Sequence, residues 1–196
     1  MNWKKLIKKL DRKEYLLYSC ILIAGVLVDL LTKRLAELFL QDRDIVTLIP
    51  GFLRLTYAEN DGIAFGMLGG GGIGRVLFMT VSTVMILGVG GYLFLGHAQD
   101  RRYGIALSLI VSGGIGNMIE RVFKGYVVDF ISVILYYPDF KAGIRQYYFP
   151  IFNGADSLVC IGAGLLILFL IIDIVRESKA AKRTSGEEPP QDPEQK

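Results

Sequence analysis

Residues 15–35 read YLLYSCILIAGVLVDLLTKRL, an almost unbroken apolar run from Tyr15 to Leu35 that carries three charged side chains, Asp29, Lys33 and Arg34, near its far end. About 20 helical residues cross a hydrocarbon layer roughly 30 Å thick, so this run predicts a helix that spans a membrane. Three further stretches repeat the pattern: Val76 to Leu95, Ile105 to Ile119, which is short, and Leu158 to Val175. The third holds Ser108, Ser112 and Gly116 at four-residue spacing, a small-residue stripe that lets helix backbones approach closely. The chain has 196 residues, 52% of them hydrophobic, and a mean hydropathy of +0.43. Such a composition argues against an ordinary soluble domain and for one helical membrane unit.

Lysine and arginine placement sets the orientation. Lys4, Lys5, Lys8, Lys9, Arg12 and Lys13 precede the first span, Arg101 and Arg102 separate the second from the third, and Arg176, Lys179, Lys182 and Arg183 follow the fourth. These regions, with both termini, are expected to be cytoplasmic, and the connectors 36–75 and 120–156 to face outward. The expected organisation is a basic N-terminus (1–14), a four-helix membrane domain (15–178) and a disordered, charged and proline-rich tail (179–196). Net charge is +3 with no basic face, so a nucleic-acid partner is not expected.

Cys20 and Cys160 fall toward opposite surfaces, which argues against a disulfide, and the one histidine, His97, lies in a polar connector. No metal and no other cofactor is expected. In the first outer connector Leu53, Leu55 and Tyr57 alternate with Arg54 and Thr56, the pattern of a half-buried strand. A small β element is therefore expected at about 44–68. The glycine run Gly69–Gly72 lacks the Gly-Lys-Ser/Thr of a phosphate loop and reads as a linker. The stretch 131–150 reads as an outer loop with interfacial tyrosines, among them Tyr136, Tyr137, Tyr147 and Tyr148.

Ionisable groups at membrane depth are functional candidates by default. Asp129 follows the third span and Asp156 opens the fourth, so both belong to one face at similar depth. Two carboxylates in a poorly hydrated site share a proton near neutral pH, one as base and one as acid. The bland alternative is that each is a span-end residue, or that Asp156 caps its helix. Asp29 and Lys33, four apart, can pair; Lys33 would then either meet an anionic headgroup or hold the site in shape. Asn60 reads first as a turn residue, Asn117 as the support of a polar centre, and Arg121 as either an orienting group or a side chain reaching for the surface.

Five blocks give these residues a pattern: Asp29-Leu30-Leu31-Thr32-Lys33, Asn60-Asp61-Gly62-Ile63-Ala64-Phe65, Gly113-Gly114-Ile115-Gly116-Asn117, Val127-Val128-Asp129-Phe130 and Phe152-Asn153-Gly154-Ala155-Asp156-Ser157. In order and content they resemble the signature blocks of lipoprotein signal peptidases. That resemblance implies an all-α membrane protein of four transmembrane helices with a small extracytoplasmic β-sheet on the outer membrane surface. It implies a bacterial inner-membrane aspartyl endopeptidase that cuts prolipoproteins before a diacylglyceryl-modified cysteine. Asp129 and Asp156 match the catalytic pair; Asn117, Arg121 and Asn153 match polar positions around it, Asp29 and Lys33 the first-helix motif, and Asn60 the outer-loop motif. The implied partners are the lipid-modified prolipoprotein, membrane lipids and a globomycin-type inhibitor, and the enzyme is expected to act as a monomer. Two features depart from the pattern: Glu120 stands where aspartate is usual, and the stretch from Ser132 to Tyr148 is longer. The rivals, a channel using the carboxylates as a relay and a non-enzymatic scaffold, predict charges spread through the bilayer and absence of turnover, respectively.

Overall fold

The computed structural model describes residues 10–62, 72–96, 100–139 and 143–184. In chain order these form α1 (Arg12–Leu40), β1 (Val46–Ile49), β2 (Leu53–Asn60), α2 (Gly72–Phe94), α3 (Arg101–Phe123), β3 (Val127–Asp139), β4 (Gly143–Tyr148) and α4 (Gly154–Thr184). The glycines 69–71, Ile63 to Phe65, His97, the first nine residues and most of the charged tail lie outside the described residues.

The first, third and fourth apolar runs lie within longer helices, whose starts are fixed by capping groups rather than by hydropathy, and the second overlaps α2 as far as Phe94. Glu14 N donates to Asp11 Oδ1 at 2.7 Å and Asp11 N donates back to Glu14 Oε2 at 3.1 Å, a capping box that starts α1. Asp100 caps α3 by accepting from Arg102 N at 2.8 Å. Among the described residues α1, α3 and α4 are long and apolar enough to cross a membrane, whereas the apolar part of α2, Met79–Phe94, is shorter.

Helix α3 is the centre of the bundle and packs against α1, α2 and α4. Its contacts are close because its facing residues are small. A Cβ on Gly113 would fall 2.3 Å from the Ala155 carbonyl oxygen, and one on Gly104 would fall 2.2 Å from the Tyr18 ring. The expected stripe faces inward: Ser108 and Ser112 are fully buried, and Ser112 Oγ donates to the Leu22 carbonyl of α1 at 3.1 Å. Outward, α1 shows Leu27 and Leu31, α2 shows Val84 and Leu87, and α4 shows Ile167 and Ile171. Large apolar groups outside and polar groups inside invert the distribution of a protein folded for water, and suit a bundle solvated by lipid.

The sheet is four-stranded and antiparallel, in the order β1-β2-β3-β4. Strand β2 lies where the alternation placed it. The outer loop expected at 131–150 is instead mostly strand: β3 runs 13 residues and pairs with β4 from Ile134↔Tyr148 to Asp139↔Gly143. The run Val133-Ile134-Leu135-Tyr136-Tyr137 hides the two-residue period because apolar residues occupy both faces, although β-branched and aromatic residues favour a strand. Leu55 and Tyr57 of β2 and Val128 and Phe130 of β3 cluster with Ala36 and Leu40, so the sheet is seated on the end of α1.

Candidate active site

Asp129 and Asp156 reach the same end of the bundle by different routes. Helix α3 ends where Lys124 N donates to the Glu120 carbonyl at 2.7 Å and Gly125, with φ 83°, turns the chain out of the helix into β3. Four residues later comes Asp129. Asp156 sits in the first turn of α4, and its cap is reciprocal: Asp156 N donates to Asn153 Oδ1 at 3.0 Å while Asn153 N donates to Asp156 Oδ2 at 3.2 Å. Asp156 is therefore the third residue of the helix, and Asn153 is the cap.

Asn153 joins the two acids. Its Nδ2 donates to Asp129 Oδ1 at 2.6 Å, and its backbone N–H donates to Asp156, so one fully buried residue holds both carboxylates. Asn117 provides the second support, donating from Nδ2 to Asp156 Oδ1 at 2.8 Å. Its Oδ1 accepts from Lys33 Nζ at 2.7 Å and from Asn153 Nδ2 at 3.1 Å. The orientation of both amides follows from this pattern, because reversing Asn117 would set its NH2 against the lysine ammonium. Asn60 combines two roles: its Oδ1 accepts from Gly62 N at 3.0 Å, as a turn residue should, and its Nδ2 donates to Asp129 Oδ2 at 2.9 Å. Gly62 has φ 80°, which the turn requires.

Beneath these lies an ion pair. Lys33 Nζ donates to Asp29 Oδ2 at 2.8 Å, both side chains wholly buried, and Asp29 Oδ1 accepts from Ala155 N of α4 at 2.7 Å. Lys33 is wholly buried, and its ammonium bonds to Asp29 and Asn117. The pair fits because its neighbours are glycines: a Cβ on Gly116 would fall 2.4 Å from Asp29 Oδ2, and one on Gly154 would fall 3.4 Å from Oδ1. Arg121 is half-buried with its Nε enclosed, and it lines a cleft with Asp156 instead of extending to the surface. That cleft, about 380 Å³, runs between α2, α3 and α4 past Val81, Met85 and Val159 to Asn117 and Asp156.

Burial and the neighbouring charge of Asp156 push the Asp129 carboxyl above its ordinary value, against the opposing hydrogen bonds from Asn60 and Asn153 and the charge of Lys33. All eight residues expected at the site lie in this one region. Sequence reasoning left two of the bonds in this region unplaced. Glu120 is buried and accepts from Val128 N at 2.9 Å, and the Asp29 carboxylate ties down the first turn of α4. The signal for Glu120 was its position one residue before Arg121, but spacing alone did not say what it would bond.

The family described as "Signal peptidase (SPase) II" matches residues 21–172. The lipoprotein signal peptidase of Chlorobium phaeobacteroides is 42% identical over 144 residues, covering 74% of this chain and 83% of that protein. That of Halalkalibacterium halodurans is 35% identical over 171 residues, covering 87% of this chain and all of the other. A bacterial membrane enzyme solved by the in meso method at 1.9 Å superposes with a TM-score of 0.64 at 32% identity, covering 78% of this chain and 91% of that one. A match over more than half of the chain, and relatives of this identity aligned over most of their length, show that the chain belongs to the signal peptidase II family.

Proposed function

We propose that this chain removes the signal peptide from prolipoproteins, cutting before a diacylglyceryl-modified cysteine, with Asp129 and Asp156 as the catalytic pair. The observation that carries the assignment is the bridge made by Asn153, which donates to both carboxylates beside a cleft lined by apolar helix faces. In this reading the bundle crosses the bacterial inner membrane four times with both termini cytoplasmic. The sheet then lies on the extracytoplasmic surface. Support comes from the basic residues before α1, at the start of α3 and at the end of α4, and from the seating of the sheet on the far end of α1. The membrane peptidase domain is 15–178. The signal helix of the substrate enters sideways from lipid into the cleft, and a globomycin-type inhibitor competes there. The enzyme works as a monomer.

The pair shares one proton. The ionised carboxylate takes a proton from water as the water oxygen attacks the scissile carbonyl, and the protonated carboxyl donates to the carbonyl oxygen. As the tetrahedral intermediate collapses and the C–N bond breaks, the carboxyl protonated by water gives its proton to the amine of the departing cysteine and a hydroxyl of the intermediate returns a proton to the other carboxylate, which restores the starting state. Asn60, Asn117 and Asn153 keep the carboxylates in place with donors already oriented. The test is a gel-shift assay with a diacylglyceryl-modified prolipoprotein in detergent, comparing wild type with Asp129→Asn and Asp156→Asn. Cleavage by wild type that is lost in both variants supports the assignment, whereas cleavage by either variant at the wild-type rate overturns it.

A further inference from the structure

Glu120 meets three donors at once. Its Oε2 accepts from Val128 N at 2.9 Å and faces Lys33 Nζ at 3.4 Å, and its Oε1 pairs with Lys124 Nζ at 2.8 Å. Val128 is the residue before Asp129, so the first contact fixes the backbone from which that carboxylate projects. Lys124 also pairs with Glu37 of α1, whose side chain is nine-tenths buried and takes a second ion pair from Arg34 at 3.0 Å. A chain of alternating charges thus runs from Asp29 through Lys33, Glu120 and Lys124 to Glu37. It joins the buried ion pair to the rim where α1 and α3 end. The extra methylene of glutamate has a purpose here, since the carboxylate must stand between two lysines and still reach a strand amide.

We propose that Glu120 is a positioning residue for Asp129, and that Lys124, held from the α1 side by Glu37, sets where the Glu120 carboxylate stands. The inference rests on the reading of Asp129 as half of the catalytic pair. The charged groups around Glu120 are Asp29, Lys33 and Glu37 from α1, Arg121 and Lys124 from α3 and its end, Asp129 from β3 and Asp156 from α4. Removing the charge of Glu120 takes one negative group from this set, so the Asp129–Asp156 pair gives up its shared proton at lower pH. Burial opposes the Lys124 charge, but the hydrogen bonds to Glu120 and Glu37 outweigh it and hold its pKa above the ordinary value.

The experiment is steady-state kinetics on a diacylglyceryl-modified prolipoprotein, with a thermal melt of every variant as the check on folding. Glu120→Gln lowers kcat about a hundredfold, as expected when a reacting group is displaced slightly, with KM little changed and the basic limb of the kcat profile moved to lower pH. Glu120→Asp restores the limb. Lys124→Met lowers kcat about tenfold in wild type but adds nothing to Glu120→Asp, because the shorter carboxylate does not hold both ends, and such non-additivity marks coupled residues. Equal effects of Lys124→Met in both backgrounds, or none in either, overturn the proposal, and this arm stands even where Glu120→Gln does not fold. Asp129→Asn is run alongside. If it stays active the catalytic assignment fails, whereas an inactive Asp129→Asn beside an unaffected Lys124→Met defeats this inference alone.

Discussion

The two ends of the bundle are both tied by polar groups, but they are built on opposite principles. At the far end Arg102 Nη2 donates to Asp100 Oδ2 at 2.7 Å and to Asp173 Oδ1 at 3.1 Å, and Tyr103 Oη donates to Asp173 Oδ2 at 2.6 Å. These groups are about a third exposed, and the guanidinium lies 5.4 Å from the Phe169 ring, so water and an aromatic face stand ready as substitutes. At the candidate active-site end Asp29, Lys33 and Asn153 have essentially no exposure, and their polar atoms bond to one another and to groups of the same network. A half-exposed clamp tolerates the loss of a partner, and a buried network does not. The molecule thus keeps its buried polar network at one end.

The sharpest way to break this comparison is to neutralise the acids at each end. Asp156→Asn or Asp129→Asn should cut turnover about a thousandfold or more, the scale seen when one member of a catalytic unit is removed, while leaving the melting behaviour of a folded protein. Gel-shift assays with the purified variants check it. The same pair should govern the pH profile. Because burial and the charge of Asp156 raise the Asp129 carboxyl above its ordinary value, the proposed pair should hold its shared proton to higher pH than a free aspartate does, and kcat should fall as pH rises through that value. A basic limb at the ordinary aspartate value would contradict the buried, coupled site.

Lys33→Met comes next, since it leaves Asp29 with the Ala155 N–H but no cation, and Glu120 with the Val128 N–H and Lys124. Breaking a buried pair in this way costs about 3–5 kcal/mol, measurable as a loss of unfolding free energy in detergent, and turnover should be lost with it. Gly116→Ala is smaller. Its Cβ would lie 2.4 Å from Asp29 Oδ2, so the pair must shift, at about 1–3 kcal/mol, and kcat should fall while KM holds. A fully active Gly116→Ala would mean that the close approach of α3 to Asp29 does not shape the site.

The residues proposed to do the chemistry were more legible in the sequence than the contacts that hold them. Asp129 and Asp156 were readable because acids beside apolar runs stand out, and because two span ends facing one surface bring them together. Asn117 was readable as the support of a polar centre, Asn60 first as a turn residue, and Asn153 only through the resemblance of its block, because an asparagine gives no sign of which group its amide will meet until the fold supplies three dimensions. Lys33 pairs locally with Asp29, as its spacing suggests, yet its second bond, to Asn117, is 84 residues away. The β3–β4 hairpin was hidden for a different reason: apolar residues on both faces of β3 erase the period that identifies a strand. Glu120 was visible only as a departure from the usual aspartate, and its partners explain the longer side chain.

The smallest expected effect is the most useful control. Asp173→Asn removes the charge that Arg102 meets but leaves an oxygen that can accept from Arg102 or from Tyr103, and Asp100 still pairs with the guanidinium at 2.7 Å. Asp173 lies in the C-terminal half of α4, four helical turns and more beyond Asp156, and has no bond to any residue of the site among the described contacts. Substitutions this far apart act independently, so kcat should stay within about twofold of wild type. If Asp173→Asn lowered kcat as strongly as Gly116→Ala does, the two ends would be coupled through α3 and α4, and the clamp would belong to the catalytic machinery. A normal kcat with a slightly lower melting temperature would instead show that the far end only holds the helices in register, while the buried network alone places the acids.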